Sequence, residues 1–187
     1  MQSMMSWLLS FFLSLMSPVT PQAGNAVRTV AGVDLNRYLG DWYEVAKYPN
    51  WFQRSCVGDV VAAYARRDDG RLSVRNRCRT ADGPTEAEGV ARVVDGTSNA
   101  RLKVRFAPAA LSFLPFVWGD YWIIGLADDY SWAVVGSPDR KYLWVLSRTP
   151  TLADDAWQAA MRAVSDNGFD LNRLVRTPQG THTDPSS

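Results

Sequence analysis

From residue 41 to residue 147 the chain runs in short stretches that alternate apolar and polar positions. A period of two argues for strands with one face buried and the other wet. The clearest case lies at 100–106, where Leu102, Val104 and Phe106 fall on one face and Arg101, Lys103 and Arg105 on the other. Further strands are expected at 42–47, 58–65, 71–78, 86–94, 120–126, 130–136 and 141–147. Turn residues separate them: Asp69-Gly70, Asp82-Gly83-Pro84, Asp95-Gly96, Asp128-Asp129 and Ser137-Pro138-Asp139. Asp-Gly is a strong short-hairpin signal. After Pro150 the period changes. Leu152, Ala156, Ala159, Ala160, Ala163 and Val164 form a helical stripe, with Thr151 and Asp154 as a shortened capping box and Asn167-Gly168 as the stop. A last short strand is expected within 169–176 and a disordered tail over 179–187.

Eight consecutive strands joined by short turns, followed by one helix, predict an all-β fold: an eight-stranded antiparallel up-and-down barrel with the helix packed outside. Such closure removes edge strands and leaves room for one small ligand. Up-and-down order brings Gly40, Asp41 and Trp42, the Asp129-Tyr130 turn and Arg148 to one closed end. Trp42 taken alone is a core aromatic, a ligand-stacking residue or a plug. With Arg148 across its face, it is expected to plug the barrel floor.

Parity along the strands predicts the lining of the cavity. On the first strand Trp42, Glu44 and Ala46 share a face. Val60, Ala62 and Tyr64 follow on the second, and Leu72, Val74 and Asn76 on the third. Leu102, Val104 and Phe106 are expected inside, with Trp122, Ile124, Trp132 and Val134 on the later strands. The binding set expected from this is Ala46, Tyr64, Asn76, Val104, Phe106, Trp122, Ile124, Trp132 and Val134. Glu44 facing inward requires a partner. The connection at 107–119 carries Leu111, Phe113, Leu114, Phe116, Val117 and Trp118, which is very apolar for a loop. Topology puts residues 111–118 at the mouth, as a rim cover, a gate, a peripheral membrane contact or a dimer contact.

The 187 residues suit one domain. A net charge of +1 with scattered arginines gives no nucleic-acid footprint. Eight tryptophans are many for this length and fit a ligand cavity. One histidine, His182, and two cysteines support neither a metal site nor an imidazole triad, so no cofactor is expected. Residues 7–16 form an apolar run too short to span a bilayer, with small residues at Ala23, Gly24 and Ala26. Residues 1–26 therefore read as a signal peptide, although the leading residues lack Lys and Arg. No cysteine follows the run to take a lipid. Residues 27–178 form the barrel domain. Cys56 and Cys78 fall near the open end of adjacent strands, where a disulfide is reasonable in an oxidising compartment. The alternative is a pair of buried thiols.

The chain resembles the lipocalins. Gly40-x-Trp42 matches the first signature of that family, Asp129-Tyr130 loosely matches the second and Arg148 the third. The likeness to the bacterial lipocalin and apolipoprotein D branch rests on Tyr38-Leu39-Gly40-x-Trp42-Tyr43-Glu44-x-Ala46, Asp69-Gly70-x-Leu72-x-Val74-x-Asn76, Glu88-Gly89-x-Ala91, Leu102-Lys103-Val104-x-Phe106 and the run from Gly136 to Pro150. It covers residues 34–176. The resemblance implies a non-enzymatic carrier of a small apolar ligand such as a fatty acid or lysophospholipid. It implies a role in membrane maintenance; with the leader at 1–26, export to the periplasm or outer membrane is expected, as a monomer or homodimer. The other readings are an isomerase using a pocket thiol, a tetrapyrrole carrier and a surface protein whose partner docks on the 107–119 loop.

Overall fold

A computed structural model describes residues 26–180. The apolar run at 7–16, the junction around Ala23, His182 and the tail from 181 onward lie outside the described residues. The described elements are α1 (Leu35–Tyr38), β1 (Gly40–Lys47), β2 (Gly58–Arg66), β3 (Leu72–Thr80), β4 (Gly83–Val93), β5 (Arg101–Arg105), β6 (Gly119–Leu126), β7 (Trp132–Gly136), β8 (Leu143–Ser147), α2 (Asp154–Asp166) and β9 (Val175–Arg176).

Strands β2 to β8 pair in sequence order, and β1 pairs antiparallel with both β2 and β8. That double pairing closes an eight-stranded barrel. The ninth strand, β9, adds to the upper part of β1 at Ala46 and Lys47. There β1 has left β2, whose partners on it end at Tyr43. The segment after β9 fills this seam: Gln179 Nε2 donates to the carbonyls of Glu44 and Val60 at 2.8 and 3.0 Å. Gln179, expected to begin a disordered tail, thus ties β1 to β2.

Two apolar clusters divide the molecule. The first fills the barrel with Tyr38, Trp42, Tyr64, Leu72, Val74, Leu102, Tyr121, Ile123, Ala133, Val135 and Leu146. The second lies outside the wall, where Val45, Ala46, Ile124, Val134 and Val145 meet Ala160 and Val164 of α2. A Cβ at Gly125 would stand 2.7 Å from that of Ala163, so only glycine lets the helix approach there. Helix α2 starts later than the capping box predicts. Ala153 is its N-cap and gives no side-chain cap, and Thr149 Oγ1 binds the Thr151 carbonyl at 2.6 Å. Asp154 and Asp155 instead place negative charge at the positive end of the helix dipole. The expected stop holds: Gly168 has φ +72°, and the Phe169 amide returns to the Val164 carbonyl.

Candidate functional site

The barrel has a sealed end. The Trp42 ring is fully buried, and its Nε1 donates to the Tyr38 carbonyl at 2.8 Å. Arg148 lies 3.7 Å above that ring. Its guanidinium donates to the carbonyls of Asp41 (2.9 Å), Arg37 (2.7 Å) and Tyr130 (3.3 Å). One side chain thereby ties α1, β1 and the β6–β7 turn together. Gly40 is required for this because its φ is +91°, a conformation that L side chains rarely adopt. Tyr130 is also left-handed, at φ +65°. It is held by Arg37 stacked 4.0 Å from its ring and by the Asp34 amide on its hydroxyl. The expected convergence of Gly40, Trp42, Tyr130 and Arg148 is what the geometry displays. Asp129 caps the turn by accepting from the Ser131 amide.

Above the plug lie three buried phenols. Tyr121 Oη is 2.8 Å from Tyr38 Oη and accepts from Tyr64 Oη at 2.9 Å. Burial pushes the Tyr64 hydroxyl up to about 12, against the opposing effect of its bond to Tyr121. Burial also raises Tyr38 and Tyr121 well above the ordinary phenol value. These hydroxyls satisfy one another and form the floor of the interior.

The upper half of the barrel is open. Asn76 pairs with Ala62 and Ala87, one step nearer the mouth than the Val74–Gly89 pair. Thr85 and Ala87 carry inner-face parity and are nonetheless exposed. Phe106 is 43% exposed, and its ring covers Gly89, where a Cβ would meet it at 2.8 Å. Val104 and Asn76 are half-buried. Asn76 Oδ1 is shielded from solvent and has no hydrogen-bond partner among the described residues. One side of the mouth is an aromatic series. Tyr142 and Trp144 stack with centroids 6.0 Å apart, and Phe52 approaches them at 5.6 and 6.2 Å. Gln53 Oε1 accepts from Trp144 Nε1 at 3.0 Å.

Beside this series is the charge that parity places inside. Glu44 is 2% exposed and meets Lys47 Nζ at 3.0 Å, Gln53 Nε2 at 2.7 Å and Thr177 Oγ1 at 2.6 Å. The partners that an inward carboxylate requires are all present. Cys56 and Cys78 are joined by a disulfide that pins the β1–β2 loop to β3 at the rim. Neither sulfur is left as a thiol, so a mechanism using a pocket thiol has no nucleophile here.

Several expected lining residues stand elsewhere. The register of β1 against β8 shifts between Glu44 and Ala46. This bulge turns Ala46 outward onto Val145 and brings Lys47 inward opposite Trp144. On β6 and β7 the parity is the reverse of that expected. Tyr121, Ile123, Ala133 and Val135 are interior, while Trp122, Ile124, Trp132 and Val134 belong to the outer cluster beneath α2. Trp122 stacks instead against Arg101, at 4.6 Å. Tyr64, Asn76, Val104 and Phe106 do face inward. Sequence reasoning missed Phe52, Tyr142 and Trp144 as lining. The alternation Tyr142, Trp144, Leu146 was the available signal.

The last residue of the apolar loop packs on the outer wall, where the Trp118 ring lies 4.3 Å from Arg92 and 5.2 Å from Arg105. Trp118 Nε1 donates to the Ser112 carbonyl at 2.8 Å. Phe113, 77% exposed, points away from the wall.

A lipocalin-like domain matches residues 33–179. Temperature-induced lipocalin-1 of Arabidopsis thaliana is 36% identical over 163 residues, 86% of this chain and 87% of that protein. The outer membrane lipoprotein Blc of Escherichia coli K12 is 38% identical over 172 residues, covering 91% of this chain and 92% of its own length. The solved insecticyanin of the tobacco hornworm Manduca sexta superposes with a TM-score of 0.65 at 19% identity, covering 83% and 85% of the two chains. The closed barrel, the Trp42–Arg148 plug and these likenesses agree: the chain belongs to the lipocalin family, whose members bind and transport small hydrophobic ligands.

Proposed function

We propose that the open upper half of the barrel holds a single-chain lipid, and that the protein is a carrier without catalytic activity. The observation that carries this reading is the exposed inner face above the Tyr38–Tyr121–Tyr64 floor, where Thr85, Ala87 and Phe106 reach solvent. Ala62, Val104 and Trp144 line it, and among the described residues Asn76 Oδ1 is an unpaired acceptor on it. Apolar walls with a single polar fixing point suit an amphiphile. A fatty acid and a lysophospholipid both present an acyl chain. The unpaired acceptor favours the lysophospholipid, because its free glycerol hydroxyl donates while an ionised carboxylate does not. The relative named an outer membrane lipoprotein and the rim disulfide support a place in the oxidising cell envelope. Leu111 and Phe113 on the outer loop offer a peripheral contact to its membrane.

The test is titration of delipidated protein with palmitoyl lysophosphatidylethanolamine and with palmitate, read by tryptophan emission. Saturable quenching with a dissociation constant near micromolar or below is expected for the lysophospholipid. The quenching should shrink in Trp144→Phe. Absence of saturation with both ligands refutes the carrier reading.

A further inference from the structure

A second concavity lies outside the barrel, independent of the lipid cup. It encloses about 460 Å³ between the outer face of β3–β4 and the start of the β5–β6 loop. Arg67, Arg71, Ser73, Arg75, Glu88 and Arg105 are among its lining residues. Its carboxylates are already engaged. Asp69 is bridged by Arg67 at 3.3 Å and by Arg71 at 3.5 Å, and Glu88 lies 3.8 Å from Arg75.

Arg105 differs from the other three arginines. It is 4% exposed and has no carboxylate partner among the described residues. Its register partner on β4 is Val90, on the outer face. Nη1 donates to the carbonyls of Ala107 and Pro108, and the guanidinium faces Trp118. Nε is shielded from solvent and has no hydrogen-bond partner among the described residues. A buried cation with an idle donor is costly unless something answers it. The loop carbonyls fix its plane, and a guanidinium fork matches tetrahedral oxyanions bidentately.

We propose that this groove is a binding site for a phosphate-class oxyanion, with Arg105 as the fixed donor and Arg71 and Arg75 at its mouth. A free phosphate ester and the headgroup of an anionic lipid share that chemistry.

The experiment follows the Arg105 Nε–H resonance of the full-length, nitrogen-15-labelled protein at constant ionic strength. Inorganic phosphate is titrated first, then phosphate in the presence of phosphatidylglycerol vesicles. A saturable shift at Arg105 is expected, weakened about fivefold in each of Arg71→Ala and Arg75→Ala, the size of one partly exposed charge contact. Vesicles that compete with phosphate identify a headgroup site. Vesicles that leave its affinity unchanged identify a free phosphate ester. Arg105→Met is expected to abolish the site; where that variant does not fold, the two exposed arginine variants decide. No saturable response at Arg105, phosphate affinity unchanged from the parent in both arginine variants, or vesicle binding that bypasses Arg105 overturns the proposal.

Discussion

The two ends of this barrel are built on opposite terms. At the closed end the buried polar groups answer one another: the Trp42 indole finds the Tyr38 carbonyl, Arg148 finds three carbonyls and the three phenols find one another. At the open end, inner-facing Thr85, Ala87 and Phe106 stay exposed, and Asn76 Oδ1 stays unpaired. On the proposed reading, stability is concentrated away from the lipid and unsatisfied surface beside it, so that a ligand covering that surface gains what folding has left unused. Changes at the floor should therefore move stability with little effect on affinity, and changes in the cup should do the reverse.

The sharpest way to break that division is Trp42→Ala. It removes a fully buried indole, its hydrogen bond and the platform for Arg148. A loss of about 3–5 kcal/mol in denaturant unfolding is expected, as for other large aromatic truncations. A variant that unfolds like the parent and loses only lipid affinity would make Trp42 a ligand contact.

Alkaline pH probes the same floor without truncation. Tyr64 titrates near 12 in the folded chain and near 10 in the unfolded one. The folded state thus holds its proton longer. The contribution is complete below pH 10 and is lost as the pH rises from 10 through 12. Two pH units correspond to about 3 kcal/mol. Tyr38 and Tyr121, raised in the same direction, steepen the fall. The melting temperature should drop over that window in the parent and drop less in Tyr64→Phe. Equal slopes in the two proteins would mean that the phenol is not buried as described.

The floor was also the more legible half. Asp-Gly turns and clean alternation located the strands to within a few residues. Up-and-down order alone then brought Trp42, Tyr130 and Arg148 together from distant positions. The cup was less legible for two physical reasons. A β-bulge at Glu44 and Ala46 shifts parity by one, so Lys47 and not Ala46 turns inward, and nothing in the local sequence announces it. On β6 and β7, α2 covers the outer face, so both faces are apolar and alternation loses its meaning. Tyr121 with Ile123, and Trp122 with Ile124, are equivalent by pattern; only the packed helix separates them. For the connection at 107–119, topology gives the end at which it emerges, and the packing of Trp118 on Arg92 and Arg105 is a tertiary contact that alternation does not announce.

The smallest expected effect on stability is the most informative about the ligand. Asn76→Leu replaces an unpaired, shielded acceptor on the inner wall with an apolar group of similar size. An unsatisfied buried acceptor costs about 1–3 kcal/mol, so the variant should be unchanged or more stable in denaturant unfolding. Lysophospholipid affinity should fall about tenfold, the value of one hydrogen bond near 1.4 kcal/mol. Palmitate affinity should fall less, because an ionised carboxylate has no proton to give that oxygen and can use only the amide N–H₂. Parallel titrations of the two lipids by tryptophan emission measure the split. Equal losses for both would make Asn76 a general wall residue and leave the headgroup to Lys47 and Gln53. A destabilised variant with intact binding would place Asn76 among the structural groups and move the boundary between floor and cup one row toward the mouth.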